Sequence, residues 1–447
     1  MKQQIFFILS LLSFAALHAE SWQIGSIQYK IEGRTTEQAI ERTLKIDRNR
    51  QFTSQQELTS YVDGLKKKLT SCRTFDSTAI TETLSGPDSS GLITDSLVIT
   101  VHDTRNVIAV PYPSYDSNTG FVLKLKLKDY NIAGSMAPLS ASLYYAPDSD
   151  TFDSVIDKRI GGDITLVTPF EIGRKDAFLT TSGNACYVLN RNLVLFDAGT
   201  QFEYYPVTAG SLSWGPYISV TGSRNDAYEA GGYEAIASAG QKMTVQDITW
   251  NGNFRTGCDI SIIQTFDYSF IDSKPFVSVT ADAQEFKSFG HIGFTLRQYA
   301  LYSSNDVQSR NMGEYLRGIR DKDIRSDMLF VCNFDMPFTL FTINFPKTSR
   351  LSLFNFEMQC SPFVDIALGH NEYTDSYFNP KDGLYSFGAD FNVFPARWRS
   401  LQVHTSFGID AVKLLQKLDG SAADGIVHTD WRTGPLYEIS AGIGLFY

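Results

Sequence analysis

The stretch Gly313-Glu314-Tyr315-Leu316-Arg317-Gly318-Ile319-Arg320 is polar and interrupted by glycine, whereas the runs that follow it alternate between apolar and polar residues up to the last residue. Successive side chains of a β-strand point to opposite faces, so such alternation is typical of strands with one apolar and one polar face. The stretch is therefore predicted to be a long loop within an all-β structure.

Two of the strands after this loop carry an acid on their polar face. Asp335 in residues 328–336 and Asp365 in residues 354–367 both lie opposite the apolar side chains of their strands. If the loop folds into a barrel, the Arg317 guanidinium needs acceptors there, and a carboxylate matches its geometry best. We therefore expect a pair between Arg317 and Asp365, with Asp335 as a second acid. A solvated external loop is the alternative.

The composition favours a membrane barrel. The 447 residues include 32 Phe, 22 Tyr and 5 Trp, yet only 20% of the residues are charged and the mean hydropathy is −0.15. Alternation hides apolar strands from such averages. Residues 123–128 alternate three leucines with three lysines, which fits leucines in lipid and lysines in a water-filled lumen. A surface hairpin of a soluble sandwich has the same pattern.

Sixteen strands are predicted, an even number as expected of a bacterial barrel. The expected runs before the loop are 121–128, 137–146, 159–170, 177–188, 193–205, 212–221, 244–255, 259–270, 275–286 and 292–302, with one more near 228–239. Those after the loop are 327–337, 351–368, 384–394, 401–412 and 436–447. The loop is therefore expected between strands 11 and 12.

The first part of the chain has a different pattern. Residues 1–19 are predicted to be a secretory signal peptide, with Lys2 before an apolar run and Ala19 at the cleavage site. Residues 20–106 show a strand, two helices and two strands in order, and Ser54 precedes the second helix in a capping box. The prolines in residues 107–118 predict a linker, and the barrel is expected over residues 119–447.

The loop and one strand resemble motifs of the BamA/TamA superfamily, which consists of outer-membrane barrels with periplasmic POTRA domains that insert or translocate proteins. The loop residues Leu316, Arg317, Gly318 and Ile319 resemble the family's Val-Arg-Gly-Phe/Tyr motif. The strand residues Phe363, Asp365 and Ala367 resemble its Phe-x-Asp-x-Gly motif, with alanine in place of glycine. In that family the acid of the strand meets the arginine of the loop inside the barrel.

Both ends of the chain also resemble this family. The order of elements in residues 22–104 is similar to that of a POTRA domain. Ser440, Gly442, Leu445 and Tyr447 resemble the C-terminal β-signal, which marks an assembled barrel of any kind. The resemblance thus implies an all-β transmembrane 16-stranded antiparallel β-barrel preceded by a small α+β POTRA domain.

For function, the resemblance implies an assembly, insertion or translocation factor in the bacterial outer membrane with its POTRA domain in the periplasm. Its partners would be the outer-membrane lipid bilayer and unfolded outer-membrane or secreted protein clients, together with periplasmic chaperones or accessory lipoproteins. Two alternatives stay open. One is a transporter of the two-partner secretion type, and the other is a surface antigen or pore that retains the fold without assembly activity.

Other function classes are disfavoured. A formal net charge of −10 disfavours binding to nucleic acid. The sequence has no Gly-x-Ser-x-Gly elbow, no His-Glu-x-x-His and no glycine-rich phosphate loop, so we expect neither an enzyme nor a cofactor. The 5 cysteines are widely spaced and the histidines are scattered, which predicts no disulfide framework and no metal site.

Overall fold

The computed structural model describes residues 21–72, 74–89, 92–104, 107–116, 120–148, 157–173, 175–224, 233–305, 310–319, 324–346, 348–396, 401–418, 426–429, 431–432 and 434–445. The predicted signal peptide, residues 1–19, and the predicted terminal aromatic Tyr447 lie outside these residues.

The N-terminal region is a small α+β domain. Its elements are β1 (Ser21–Glu32), α1 (Glu37–Leu44), β2 (Gln51–Phe52), α2 (Gln55–Ser71), β3 (Phe75–Leu84) and β4 (Leu92–Asp103). The sheet order is β2-β1-β4-β3, with β1 parallel to β4 and β3 antiparallel to it. Thr36 caps α1 and Ser54 caps α2, each by accepting a hydrogen bond from a backbone N–H of the first turn. The two helices bury their apolar faces against the sheet.

Residues 128–139, although they follow a later strand, belong to the same compact unit as this domain. The link is made by Asp103, whose carboxylate accepts hydrogen bonds from the backbone N–H groups of Arg34 (2.7 Å) and Thr35 (3.0 Å). It also accepts from the side-chain amide of Asn131 (3.3 Å), which is itself buried. The backbone N–H of Thr36 then donates to the carbonyl of Gly134 at 2.9 Å. One carboxylate therefore joins two distant segments of the chain.

The strands that follow are those of a barrel and of a separate two-stranded sheet, which Arg310–Asn311 and Arg325–Ser326 form with each other. They are β5 (Val107–Asp116), β6 (Gly120–Asp129), β7 (Leu139–Asp148), β8 (Asp157–Ile172), β9 (Lys175–Val188), β10 (Leu193–Tyr204), β11 (Val207–Ala209), β12 (Leu212–Arg224), β13 (Tyr233–Asn251), β14 (Phe254–Ser269), β15 (Lys274–Phe289), β16 (Ile292–Ser303), β17 (Arg310–Asn311), β18 (Arg325–Ser326), β19 (Met328–Asp335), β20 (Phe338–Ile343), β21 (Phe356–Asn371), β22 (Ser376–Tyr377), β23 (Leu384–Pro395), β24 (Leu401–Asp410) and β25 (Tyr437–Leu445). Helix α3 (Ala411–Leu418) follows β24, and 3-10 turns lie at Ile132–Gly134, Met312–Tyr315, Arg350–Phe354 and Pro380–Asp382. No helix in the described part of the chain has the length and apolarity that a membrane-spanning helix requires.

Within the described residues the antiparallel barrel is closed and has 16 strands, which confirms the predicted fold class. In this count β10 with β11, and β19 with β20, are each one interrupted strand, and the two-residue β22 is left out. The loop around Arg317 lies between the eleventh and twelfth of these strands, as expected.

The prediction of a linker over residues 107–118 is wrong, because Val107–Asp116 forms β5, the first barrel strand. Pro111 and Pro113 suggested a linker, since proline cannot donate to a β-ladder. They are accommodated because the described register between β5 and β25 covers only three residue pairs, Asp116 with Ser440, Tyr115 with Ala441, and Ser114 with Gly442.

A second difference compensates for the first in the strand count. The runs predicted near residues 228–239 and 244–255 are not two strands, because their described parts fall largely within the single 19-residue strand β13. Its alternation is interrupted by Gly240, whose missing side chain admits the neighbouring backbone: a Cβ there would lie 1.9 Å from the Gln264 carbonyl oxygen. The two predicted runs are therefore one long strand, which passes close to β14 at Gly240.

The two faces of the barrel differ in polarity, as the alternation predicts. On β6, Leu123, Leu125 and Leu127 point outward and are exposed, while the lysines between them are partly buried on the inner face. On β21, Val364 is 48% exposed and the adjacent Asp365 is 0% exposed. An outer wall of exposed leucine, valine and phenylalanine fits contact with lipid, whereas a soluble protein would bury it.

We predict that Asp103→Ala loosens the N-terminal unit locally. The Thr35 hydroxyl and the backbone N–H groups of Arg34 and Thr35 would lose their acceptor, which costs about 1–3 kcal/mol for each buried group left unsatisfied. Amide hydrogen exchange at Arg34 and Thr35, measured on the full chain in detergent micelles, should accelerate by about tenfold or more. Asp76→Ala removes an exposed carboxylate of β3 and is the control. Equal exchange in both variants would contradict this role of Asp103.

Candidate functional site

The loop between β16 and β19 folds back into the barrel. Its described residues are 310–319 and 324–327, and the short strands β17 and β18 pair with each other at its base. The side chain of Tyr315 stacks on Tyr299 of β16 with the ring centroids 4.6 Å apart. Its carbonyl accepts a hydrogen bond from Asn333 of β19 (3.0 Å), a residue of the inner face. The loop is thus held against the inner wall.

Two of the predicted motif residues anchor the loop by burial. Leu316 is 5% exposed and Ile319 is 0% exposed, and both pack into a cluster of apolar side chains. The other buried members of the cluster are Tyr299, Leu301, Met312, Ile324, Leu329, Val331, Ala367 and Leu384. Burying side chains of this size contributes about 1.5–3 kcal/mol each. The apolar residues on either side of Arg317 and Gly318 therefore fix the position of this pair.

Gly318 lets the loop backbone touch the barrel wall. Its φ of 86° lies in the left-handed region that favours glycine. A Cβ on Gly318 would lie 2.6 Å from the carbonyl carbon of Gly408 on β24, and a Cβ on Gly408 would lie 2.5 Å from the Cα of Gly318. Both residues must therefore be glycine for the two backbones to approach this closely. The motif predicted Gly318, and Gly408 is the complementary residue that it did not identify.

The Arg317 guanidinium binds three carboxylates. Nε and Nη2 donate to the two oxygens of Asp365 at 3.0 and 2.7 Å, the bidentate arrangement expected from the sequence. Nη1 donates to Asp335 at 2.6 Å and to Asp390 at 2.7 Å. The Arg317 backbone N–H adds a further bond to Asp365 at 2.9 Å. The carboxylates come from the neighbouring strands β19, β21 and β23, so one side chain joins three strands.

Asp390 is the member of this site that the sequence analysis did not identify. It lies on β23, where the register pairs it with Ser361 of β21, on the same inner face as Asp365. Alternation already assigns Asp390 to the polar face of its strand, but no motif marked it as a partner of Arg317. A search for every inward acid on the strands next to Asp365 would have found it.

The site holds one positive and three negative charges. Asp365 is completely buried, while the side chains of Asp335 and Asp390 are 21% and 20% exposed, so water reaches these two acids. Burial would lower the pKa of the Arg317 guanidinium, but its hydrogen bond to Asp365 and the surrounding carboxylates raise that pKa above its usual value. Arg317 is therefore charged at any physiological pH. Such a buried pair specifies a conformation more surely than it adds stability.

The strand motif has two further roles. The Phe363 ring lies under the guanidinium, with Cζ of Arg317 3.7 Å from the ring centroid, which is a cation–π contact. Gly388 of β23 makes room for this ring, because a Cβ there would lie 2.7 Å from its Cζ atom. Ala367, which stands where the family has glycine, is 0% exposed and packs into the loop cluster. Its methyl group is accommodated as part of that apolar contact.

The predicted C-terminal signal residues lie elsewhere and do not join this site. Ser440 and Gly442 face β5 across the closure of the barrel, and Leu445 pairs with Leu401 of β24. Within the described residues, no group of three or more His, Cys, Asp or Glu side chains is arranged to hold a metal ion. The Arg317 site itself consists of ion pairs between one guanidinium and three carboxylates.

Solved structures with a similar fold include CdiB and BamA. The protein aligns with CdiB from Acinetobacter baumannii over 95% of this chain and 74% of that chain, with a TM-score of 0.59 and 10% sequence identity. It aligns with BamA from Haemophilus ducreyi lacking POTRA domains 1–3 over 93% of this chain and 84% of that chain, with a TM-score of 0.51 and 11% identity. No protein-family model and no curated protein matches the sequence. The BamA-type fold expected from the sequence is thus confirmed.

We predict that Arg317→Ala destabilises the barrel by about 3 kcal/mol, because it leaves three inward carboxylates facing one another without a cation. The free energy of unfolding would be measured by urea titration in detergent micelles. Arg325→Ala, which removes an exposed arginine of the same loop, should change it little. Arg317→Lys should lie in between, since an ammonium keeps the charge but lacks the planar fork. Equal stability of the Arg317 and Arg325 alanine variants would refute a structural role of the cluster.

A second variant displaces the loop and leaves every charge in place. Gly408→Ala puts a methyl group where the Gly318 backbone lies, so the loop must withdraw from the wall. We expect a higher single-channel conductance in planar lipid bilayers than for the unaltered protein, because the loop then obstructs less of the lumen. The control is Gly222→Ala in β12, where a Cβ would meet nothing closer than 3.9 Å. Unchanged conductance in Gly408→Ala would mean that the loop does not limit flow.

Proposed function

We propose that this protein is an outer-membrane barrel of the BamA/TamA superfamily that inserts or translocates client proteins. The proposal rests on the shared fold, on the Arg317 loop with its acid partners, and above all on the weak closure of the barrel. CdiB and BamA, with which it shares the fold, are not enzymes. The role proposed here is mechanical: the barrel offers a strand edge to a client chain in the membrane.

The closure between β5 and β25 is the observation that carries this proposal. In the described residues the two strands are in register over three pairs, whereas β24 and β25 are in register over nine. Pro111 and Pro113 of β5 cannot donate hydrogen bonds to a neighbouring strand. The seam, defined as the contact of β5 with β25, therefore opens at lower cost than other described contacts between long strands. An open seam exposes unpaired backbone groups, which a client strand can satisfy.

The N-terminal α+β domain is proposed to be a single POTRA domain in the periplasm that captures unfolded clients. Its strand β3 is the last in the sheet order, so one edge of β3 has no strand beside it in the described domain. An extended peptide can add to such an edge through main-chain hydrogen bonds. Periplasmic chaperones or accessory lipoproteins would be further partners at this step. The bilayer is the partner of the exposed apolar outer wall.

Two alternatives are compatible with the same fold. A two-partner-secretion-type transporter would pass a dedicated secreted client, and a gene for a large secreted protein next to this one would favour it. A surface antigen or passive pore would need no weak seam. A large conductance of the intact protein that does not respond to Gly408→Ala would favour the passive pore, because the loop would then not act as a plug.

We predict that a disulfide across the seam abolishes client insertion. A Cβ on Gly442 would lie 3.3 Å from the Cβ of Ser114, close to the separation of about 3.8 Å in a disulfide. The variant Ser114→Cys/Gly442→Cys, oxidised in proteoliposomes, should insert no newly translated outer-membrane barrel, and a reductant should restore insertion. The measurement is the fraction of client that becomes protease-resistant.

The matched control is Thr405→Cys/Ala441→Cys, which joins β24 to β25 and leaves the seam free. It should insert clients equally well before and after oxidation. Full insertion by the oxidised seam variant would overturn the proposed lateral route. In cells, depletion of the protein should lower the amount of other barrels or secreted proteins, and normal levels of all of them would count against an assembly role.

A further inference from the structure

Lys126 on the inner face of β6 leans toward the seam. Its ammonium lies 3.9 Å from the ring centroid of Tyr112, a residue of the adjacent strand β5. Lys124, on the same face of the same strand, leans the other way, with its ammonium 5.4 Å from the ring centroid of Tyr144 on β7. The two lysines therefore contact different neighbouring strands. Of the two, only Lys126 contacts β5, the strand that meets β25 at the seam.

Lys126 has no carboxylate partner at ion-pair distance among the described residues, although Asp163 attracts it from further away. A cation in a barrel lumen is usually paired or fully solvated. Lys126 is instead partly buried against an aromatic ring. A tyrosine ring can hold an ammonium in place while leaving its remaining donors available for an anion.

Toward the C-terminal end of β25, its inner face carries small residues. The inward residues of β25 include Ser440 and Gly442, and Gly442 is in register with Ser114 of β5. A Cβ at Gly442 would lie 3.3 Å from the Cβ of Ser114 and 3.1 Å from Cε1 of His404 on β24. In the closed barrel the Lys126 ammonium thus lies over Tyr112 of β5, while the adjacent inner face of β25 has the small residues Ser440 and Gly442.

We propose that Lys126 is a specificity-determining residue that binds an Asp or Glu side chain on the inner face of a client strand paired with β5. The inference rests on the proposed function, because it assumes that a client takes the place of β25 at the seam. The ligand bound at the seam is an extended polypeptide, since only a peptide backbone also satisfies the unpaired N–H and C=O groups of β5. Clients with acids at alternate, inward positions would be preferred.

The distances allow this contact. A strand paired with β5 lies two strand spacings from β6, which is about 10 Å. The Lys126 side chain already spans the first spacing, because its ammonium is over Tyr112. An Asp or Glu side chain on the client strand then spans the second spacing and meets the Lys126 ammonium. On the protein's own β25, continuing the register of Gly442 with Ser114 places Gly444 level with Tyr112, and a glycine has no carboxylate.

The test uses the full chain in detergent micelles and fluorescein-labelled copies of the 9-residue β25 sequence, Tyr437–Leu445. One peptide has Asp in place of Gly442 and Gly444, the inward positions level with Ser114 and Tyr112, and the other has Lys at both positions. Fluorescence anisotropy should show the Asp peptide binding about tenfold more tightly, as expected for one added charge-assisted hydrogen bond. Lys126→Gln should remove this preference, and Lys126→Glu should reverse it. Lys124→Gln, the matched control on the same face, should keep it.

The outcomes separate this inference from the function on which it rests. If both peptides bind equally to the unaltered protein, or if the preference survives in Lys126→Gln, the seam accepts strands but Lys126 does not select them. If Lys124→Gln loses the preference as fully as Lys126→Gln, the charge of the lumen acts as a whole and the specific assignment to Lys126 is wrong. If neither peptide binds, strand acceptance at the seam fails, and the proposed function fails with it.

Discussion

One guanidinium, that of Arg317, holds together three strands and a loop. Its three carboxylates lie on β19, β21 and β23, and each is repelled by the others when the guanidinium is absent. The loop must therefore stay inside the barrel for these acids to be tolerated there, and the acids must be present for a buried guanidinium to be tolerated. This mutual requirement explains why the contact specifies one loop position. Leu316 and Ile319 supply the apolar burial that stabilises it.

Alternation, together with the resemblance of the loop and strand motifs, was enough to find most of this arrangement in the sequence. It assigned Asp335 and Asp365 to the inner faces of their strands, and the structure places Arg317 between them. Asp390 was not identified because its strand, β23, carries no motif that marks it as a partner of Arg317. Gly408 was not identified for a similar reason. A glycine in a strand has no periodic signal, and its role depends on which backbone comes close in three dimensions.

The two differences between the predicted and the observed strands have a common physical origin. The prolines of β5 and Gly240 of β13 are residues that usually interrupt strands, yet here each stands where the sheet tolerates it. Proline is compatible with β5 because its pairing with β25 covers so few residues. Glycine is required in β13 because the Gln264 carbonyl lies where a Cβ would be. The tendency of proline and glycine to interrupt a strand is a property of the residue, whereas the neighbouring strand determines whether the interruption occurs.

The loop and the seam are mechanically separate, and this separation is what makes a gated barrel possible. Arg317 and Gly318 of the loop contact β19, β21, β23 and β24, whereas the seam is made by β25 and β5. Parting β5 from β25 therefore breaks none of the Arg317 bonds. A barrel has no free edge only while every neighbouring pair is closed. A strong ionic contact on one wall keeps the loop and the surrounding strands in place, so that the weakest pair can open without unfolding the rest.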